Sequence, residues 1–214
     1  MKLQIVPAIL VKNFSEFKEQ IKKIQNNFPL IQIDVCDNIF VKNKTFKERT
    51  EINKLKLPCQ LELHLMVKHP EKEILKWEKV KNIYRVYVHV ETLKNNFDKI
   101  NNLIRKNGWQ FGIVINPETK TDQLKKYLEK IDSVLFMTVH PGTQGQKLIK
   151  PVLKKIKNFS SKNKQILISA DGGINLENIK QVKQVGVTEF CIGKRLVLVE
   201  DIKKTKSDFV RLIK

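Results

Sequence analysis

The sequence predicts an α/β protein, a (β/α)8 TIM barrel. Two observations predict it. Short apolar runs alternate with longer amphipathic segments along the 214 residues, and there are eight such runs. The connections between them are only a few residues long, with no linker, low-complexity segment or second domain. Strands alternating with helices pair in parallel through right-handed crossovers, and eight such units in this length close on themselves. A single domain, residues 1–214, follows from the length. A doubly wound open sheet is the competing architecture, but no Gly-rich dinucleotide fingerprint follows the first strand.

The elements follow in order. Leu3–Ile9 reads as the first strand, and Phe14–Phe28 as the first helix, with Phe14, Phe17, Ile21 and Ile24 on one stripe. Leu30–Cys36 is the second strand and Lys47–Leu55 a weak helix. Pro58–Met66 is the third strand; Pro70 opens a helix, with Glu71–Lys81 following and Ile74, Trp77 and Val80 facing inward. Ile83–Val90 is the fourth strand, and Phe97–Asn107 a helix closed by Gly108. Phe111–Ile115 is the fifth strand, and Thr121–Lys130 a helix with Thr121 as its N-cap. Ser133–Val139 and Lys147–Lys162 form the sixth unit, Gln165–Ala170 and Leu176–Val185 the seventh, stopped by Gly186. Thr188–Ile192 and Asp201–Leu212 complete the eighth.

Composition narrows the function classes. No run of about eighteen apolar residues suggests a membrane span. The start, Met1 to Pro7, is too short and too soon broken by proline for a signal peptide. Cys36, Cys59 and Cys191 lack metal or redox spacing and fit buried thiols in a reducing cytoplasm. The net charge of +19 raises nucleic-acid binding. The lysines, however, fall in helical stretches and short linkers without interleaved aromatics, which suits a solvated surface. That field would still draw an anionic small substrate inward.

The chemistry centres on Ile31-Gln32-Ile33-Asp34-Val35-Cys36-Asp37. Alternation turns Ile31, Ile33 and Val35 toward a covering layer and leaves Gln32, Asp34 and Cys36 on the other face. A carboxylate inside a sheet is costly unless paired. In a barrel the active site lies at the carboxyl ends of the strands. Asp34, His64 and Asp171 all fall there, on different strands. Two carboxylates and an imidazole suit one divalent metal ion such as zinc, iron, manganese or cobalt, with the Gln32 amide oxygen as a neutral fourth ligand. Singly, each has an ordinary reading as a loop cap or core histidine; together they point to a site. Gly142, Gly145, Gly172, Gly173 and Gly193 lie on the loops after strands six to eight, where barrels bind phosphate on backbone N–H groups.

These residues match a known pattern. Pro7-Ala8-Ile9-Leu10, Ile33–Asp37 with Phe40-Val41 and Asn43, Leu63–Met66, Val88-His89-Val90-Glu91 and Ile115-Asn116-Pro117 carry it in the first half. Met137–Gly142, Gly145-Gln146 and Asp171-Gly172-Gly173-Ile174-Asn175 carry it in the second. The chain resembles the ribulose-phosphate 3-epimerase family along nearly its whole length. The resemblance implies a ribulose-phosphate-binding barrel that inverts carbon 3 of a ketopentose 5-phosphate through an enediolate. It implies Asp34 and Asp171 as the acid/base pair, both binding the metal with His64. It implies phosphate held by Gly142, Thr143, Gln144, Gly145, Gly172, Gly173, Gly193 and Lys194, with Ala8 and His64 at the substrate and Cys36, Met66 and Met137 lining the pocket. A phosphorylated sugar partner and a homo-oligomer follow from it, with neither nucleic acid nor membrane.

The departures leave two readings open. Gln32 stands where the family has a histidine ligand, and an amide oxygen is the weaker donor, so metal affinity should fall. Ala8 replaces a substrate-contacting serine, Val11 a second serine, Asn38 a glycine, Gln144 a phosphate-loop glycine, and Lys194 a serine. Lys194 can still hold phosphate as a point charge. One reading is an active epimerase with an altered metal site. The other is a sugar-phosphate-binding barrel with little or no catalysis.

Overall fold

The structure, a computed structural model, describes residues 3–93 and 95–214; Met1 and Lys2, part of the stretch read as too short for a signal peptide, and Lys94 lie outside it. Eight parallel strands close into a barrel in chain order: β1 (Gln4–Ile9), β2 (Leu30–Cys36), β3 (Gln60–Met66), β4 (Ile83–His89), β5 (Gln110–Ile115), β6 (Ser133–Met137), β7 (Leu167–Asp171) and β8 (Glu189–Ile192). Register between β8 and β1, from Gln4 opposite Glu189 to Pro7 opposite Ile192, shuts the ring. The helices are α1 (Phe14–Ile24), α2 (Pro70–Trp77), α3 (Val90–Leu93), α4 (Phe97–Lys106), α5 (Pro151–Ser160), α6 (Ile179–Gln184), α7 (Lys194–Val197) and α8 (Ile202–Ile213). Two 3-10 helices, Thr50–Leu55 and Thr121–Lys130, complete the shell. Among the described residues no helix is long and apolar enough to cross a membrane.

Alternation along each strand splits the core in two. Ile31, Ile33 and Val35 of β2 and Leu61, Leu63 and Leu65 of β3 face outward and bury against the helical shell with Phe17, Ile21 and Trp77. Burial of each such side chain favours folding by roughly 1.5–3 kcal/mol. The inward positions are largely polar. In the lower barrel Arg85 Nη2 lies 2.6 Å from both Glu62 and Glu189, and all three are buried. The Tyr87 hydroxyl meets Ser169 Oγ at 2.8 Å, and Ser169 donates to Glu189 at 2.8 Å. The Tyr87 ring occupies the space over Gly112, where an added Cβ would come within 2.2 Å of it.

Most helix ends differ from the sequence reading for local reasons. α1 stops at Ile24 rather than Phe28 because Pro29 cannot donate and pushes Phe28 out of the helical region. α5 begins at Pro151, four residues later than expected, with proline at its first turn. α2 begins at Pro70 as expected but ends at Trp77, and α6 covers only Ile179–Gln184. The expected helix at Lys47–Leu55 is a 3-10 turn from Thr50, closed by Lys56 at φ 48°. Thr121 is not an N-cap: Lys120 holds that position, without a side-chain cap, and the segment winds as 3-10 turns. Pro58 precedes β3 rather than opening it, since proline has no N–H for the ladder. α3 and α7, four residues each, are too short to leave a periodic signal. Gly108 and Gly186 close their helices at φ 74° and 98°, as expected.

Candidate functional site

Three strands aim their inward side chains at one point near the carboxyl end of the barrel. On β2 and β3, Asp34 is in register with His64, and Gln32 with Glu62. Asp171 is the last residue of β7. Its carbonyl is pinned by Thr138, whose backbone N–H and hydroxyl donate to it at 2.8 and 2.9 Å. The β2 loop is shaped by Asp37, whose carboxylate accepts from the N–H groups of Ile39, Phe40 and Lys68 at 2.7–2.8 Å.

The polar cluster is tight. Gln32 Nε2 donates to Asp34 Oδ1 at 2.9 Å and to Asp171 Oδ2 at 2.7 Å. His64 Nδ1 lies 3.0 Å from the same oxygen of Asp34 and 3.4 Å from that of Asp171. Ligand atoms of Asp34, His64 and Asp171 all fall within 4.8 Å of one another. Gln32 and His64 are fully buried, and Asp34 and Asp171 nearly so.

Electrostatics follow from this crowding. Burial pushes the Asp34 carboxyl up, and the charge of Asp171 adds to it against the opposing bonds from His64 and Gln32. Burial alone would lower His64, but the two carboxylates outweigh it and raise the imidazole to about 9. His89, fully buried behind His64, is instead lowered to about 4 by burial and by the charge of His64, against the pull of Glu91.

The residues present fit a divalent cation. Two carboxylate oxygens at 3.0 and 3.4 Å from one imidazole nitrogen make a donor set and spacing that such an ion accepts. Gln32 Oε1 is buried without a partner among the described residues. Turning the amide over would exchange Nε2 for that oxygen. The sequence reading expects the oxygen at the ion; here the nitrogen faces the carboxylates, because two anions favour a donor.

Above the cluster opens a cavity of about 770 Å³. Every site residue named from the sequence lines it except Gln32, which lies beneath the carboxylates, and Cys36. Cys36 is expected on the pocket wall, but its short side chain packs behind Met66 and Val41. The rim loops touch closely: Gly173, at φ 67°, lets the backbone of Leu148 approach where a Cβ would meet its nitrogen at 2.4 Å. Gln144 Nε2 donates to the Ala8 carbonyl at 3.2 Å and sits against Gly193, so it bridges β1 and β8 across the rim. Asn43 Nδ2 ties the β2 loop to the Gly142 carbonyl at 2.8 Å. Thr143, Gly145 and Lys194 are exposed at the mouth.

The sequence reading assigned no role to His89 or to Glu91. His89 Nε2 lies 2.9 Å from His64 Nε2, with the rings stacked. The alternation Arg85, Tyr87, His89 carried the signal, since it puts His89 on the inward face of β4.

Comparison with known proteins bears on this site. A sequence model described as the ribulose-phosphate 3 epimerase family matches residues 4–197. The chain is 34% identical over 205 residues to a ribulose-phosphate 3-epimerase of Buchnera aphidicola subsp. Baizongia pistaciae, covering 91% of this chain and 89% of the relative. It is 32% identical to a ribulose-phosphate 3-epimerase of Bacillus subtilis, covering 96% and 97%. Among solved structures, a 3-keto-L-gulonate-6-phosphate decarboxylase from Vibrio cholerae superposes with a TM-score of 0.77, covering 100% and 98% of the two chains. At 13% identity that likeness speaks for the fold alone.

Proposed function

The chain belongs to the ribulose-phosphate 3-epimerase family, isomerases acting on carbohydrates, and on that premise we propose that it interconverts D-ribulose 5-phosphate and D-xylulose 5-phosphate. The hydrogen on carbon 3 is acidic because the carbonyl at carbon 2 can take up the electron pair as an enediolate. One of Asp34 and Asp171 removes that proton from one face, and the other returns a proton to the opposite face, so the configuration inverts. In the reverse direction the two exchange roles.

Asp34, His64 and Asp171 would hold one divalent ion, of zinc, iron, manganese or cobalt, with Gln32 as a weak fourth donor. Bound there, the ion supplies positive charge to the enediolate oxygens. The remaining work belongs to the chain's own residues. Before the amide turns its oxygen to the ion, Gln32 Nε2 holds the two carboxylates side by side. Met66 and Met137 in the cavity wall keep water from the carbanion. The backbone around Gly172, Gly173 and Gly193, with Gln144 and Lys194, holds the phosphate and so anchors the sugar over the carboxylates.

The observation that carries this reading is the meeting of two carboxylates from separate strands, β2 and β7, on a single amide nitrogen, at 2.9 and 2.7 Å. The test is proton exchange. With zinc or manganese added, carbon 3 of ribulose 5-phosphate should take up deuterium from D2O at the rate of xylulose 5-phosphate formation. A protein that binds the sugar phosphate yet exchanges nothing would leave the second reading, a binding barrel with little catalysis. We further propose a cytoplasmic location, in keeping with three buried free thiols, and a homo-oligomer, with light scattering as the check on its mass.

A further inference from the structure

We propose that His89 and Glu91 are positioning residues that set which nitrogen of His64 is offered to the metal site, through a directed chain of hydrogen bonds running out to the loop after β5. The inference rests on the reading of His64 as a ligand through Nδ1.

The geometry leaves few choices. His64 Nε2 and His89 Nε2 face each other at 2.9 Å, and both rings are fully buried. Two bare nitrogens would repel, as would two N–H groups, so one ring donates and the other accepts. If His89 donated, its other nitrogen, Nδ1, would be bare. That atom lies 3.4 Å from Glu91 Oε2, and neither atom has another partner among the described residues. Two buried acceptors would then oppose each other. If His64 donates, His89 carries its proton on Nδ1, directed at the Glu91 carboxylate, and both conflicts vanish. A small tilt of the ring closes the 3.4 Å gap.

Glu91 cannot easily turn away. Its Oε1 accepts from the Asn116 N–H at 3.2 Å and from the Thr119 hydroxyl at 2.5 Å, which leaves Oε2 for His89. That loop is fixed in turn by Lys155 on α5, whose ammonium donates to the carbonyls of Asn116, Pro117 and Thr119 at 2.8, 2.8 and 3.0 Å. Phe40 packs on His89 with ring centroids 4.7 Å apart and holds its plane. With Nε2–H committed to His89, the lone pair of a neutral His64 sits on Nδ1, the atom between the two carboxylates.

Two measurements test this on the full-length protein. The first is 15N NMR of the histidine rings at neutral pH, which needs no metal. His89 should be neutral with its proton on Nδ1; a proton on Nε2 overturns the proposal. The second is zinc affinity by competition with a chromophoric chelator. His89→Phe, which keeps a ring but removes the acceptor, should weaken zinc binding by about 10–100-fold. His89→Gln, which restores an acceptor, should recover part of the loss, and Glu91→Gln should fall between. Equal affinity in well-folded His89→Phe and wild type overturns it. If wild type itself binds no zinc, the metal reading fails, while the ring tautomer still decides the chain of hydrogen bonds.

Discussion

At the residue scale, the site turns on a few atoms. Asp34→Asn and Asp171→Asn each remove a proton carrier while keeping the side-chain shape. Each should lower turnover by about 100- to 10,000-fold with little change in thermal midpoint; near-normal rates in a coupled epimerase assay would refute the pairing. Gln32→His replaces a weak donor with an imidazole, and zinc titration should show tighter binding. Asp34, His64 and Asp171 are legible in the amino-acid order itself, because alternation turns Asp34 inward and the barrel rule gathers the strand ends where His64 and Asp171 fall. Two facts at this scale are not. Which atom of the Gln32 amide faces the carboxylates depends on the local field. The contact of His64 with His89 depends on the interstrand stagger, since the register partner of His64 is Tyr87.

At the scale of elements, interior strands are easy to place from the sequence and helix ends are not. A strand buried on both faces leaves an unbroken apolar or β-branched run, as in Phe111–Ile115. A helix end depends on single backbone groups, and Pro29 and Pro151 moved two of them. The segment before α2 is tied to it by a buried ion pair. Arg49 Nη2 lies 3.0 Å from Glu73 Oε1, which also accepts from Trp77 Nε1 at 3.1 Å. Burial pushes the Glu73 carboxyl up, but Arg49 and Lys76 pull it further down, below its ordinary 4.5. A lowered carboxyl contributes stability at pH values above its ordinary range, and that contribution is lost as pH falls through the folded-state value. Glu73→Gln should therefore cost about 2 kcal/mol near neutral pH. The gap from wild type should narrow below about pH 4 in urea unfolding, and a constant gap would contradict the pairing. Gly112→Ala tests the seam between β4 and β5: the new methyl meets the Tyr87 ring, and a loss of about 1–3 kcal/mol is expected by the same method.

At the scale of the molecule, eight alternating units dictated a closed ring, and the ring forms with strands in chain order. The polar interior was not legible as a network. Glu62, Arg85 and Glu189 lie far apart in sequence, and alternation alone gives their direction but not their partners. The buried trio has a consequence for how the polypeptide can be divided. Severing it between β4 and β5 leaves Glu62 and Arg85 on the amino-terminal half and Glu189 on the other. Each piece would then keep an incomplete set of charges, around which no dry interior can close. Such halves, expressed separately, should stay unfolded or aggregate, and should regain circular dichroism and solubility only when co-expressed. An independently folding half would mean that the barrel is built from two autonomous modules rather than sewn through its middle.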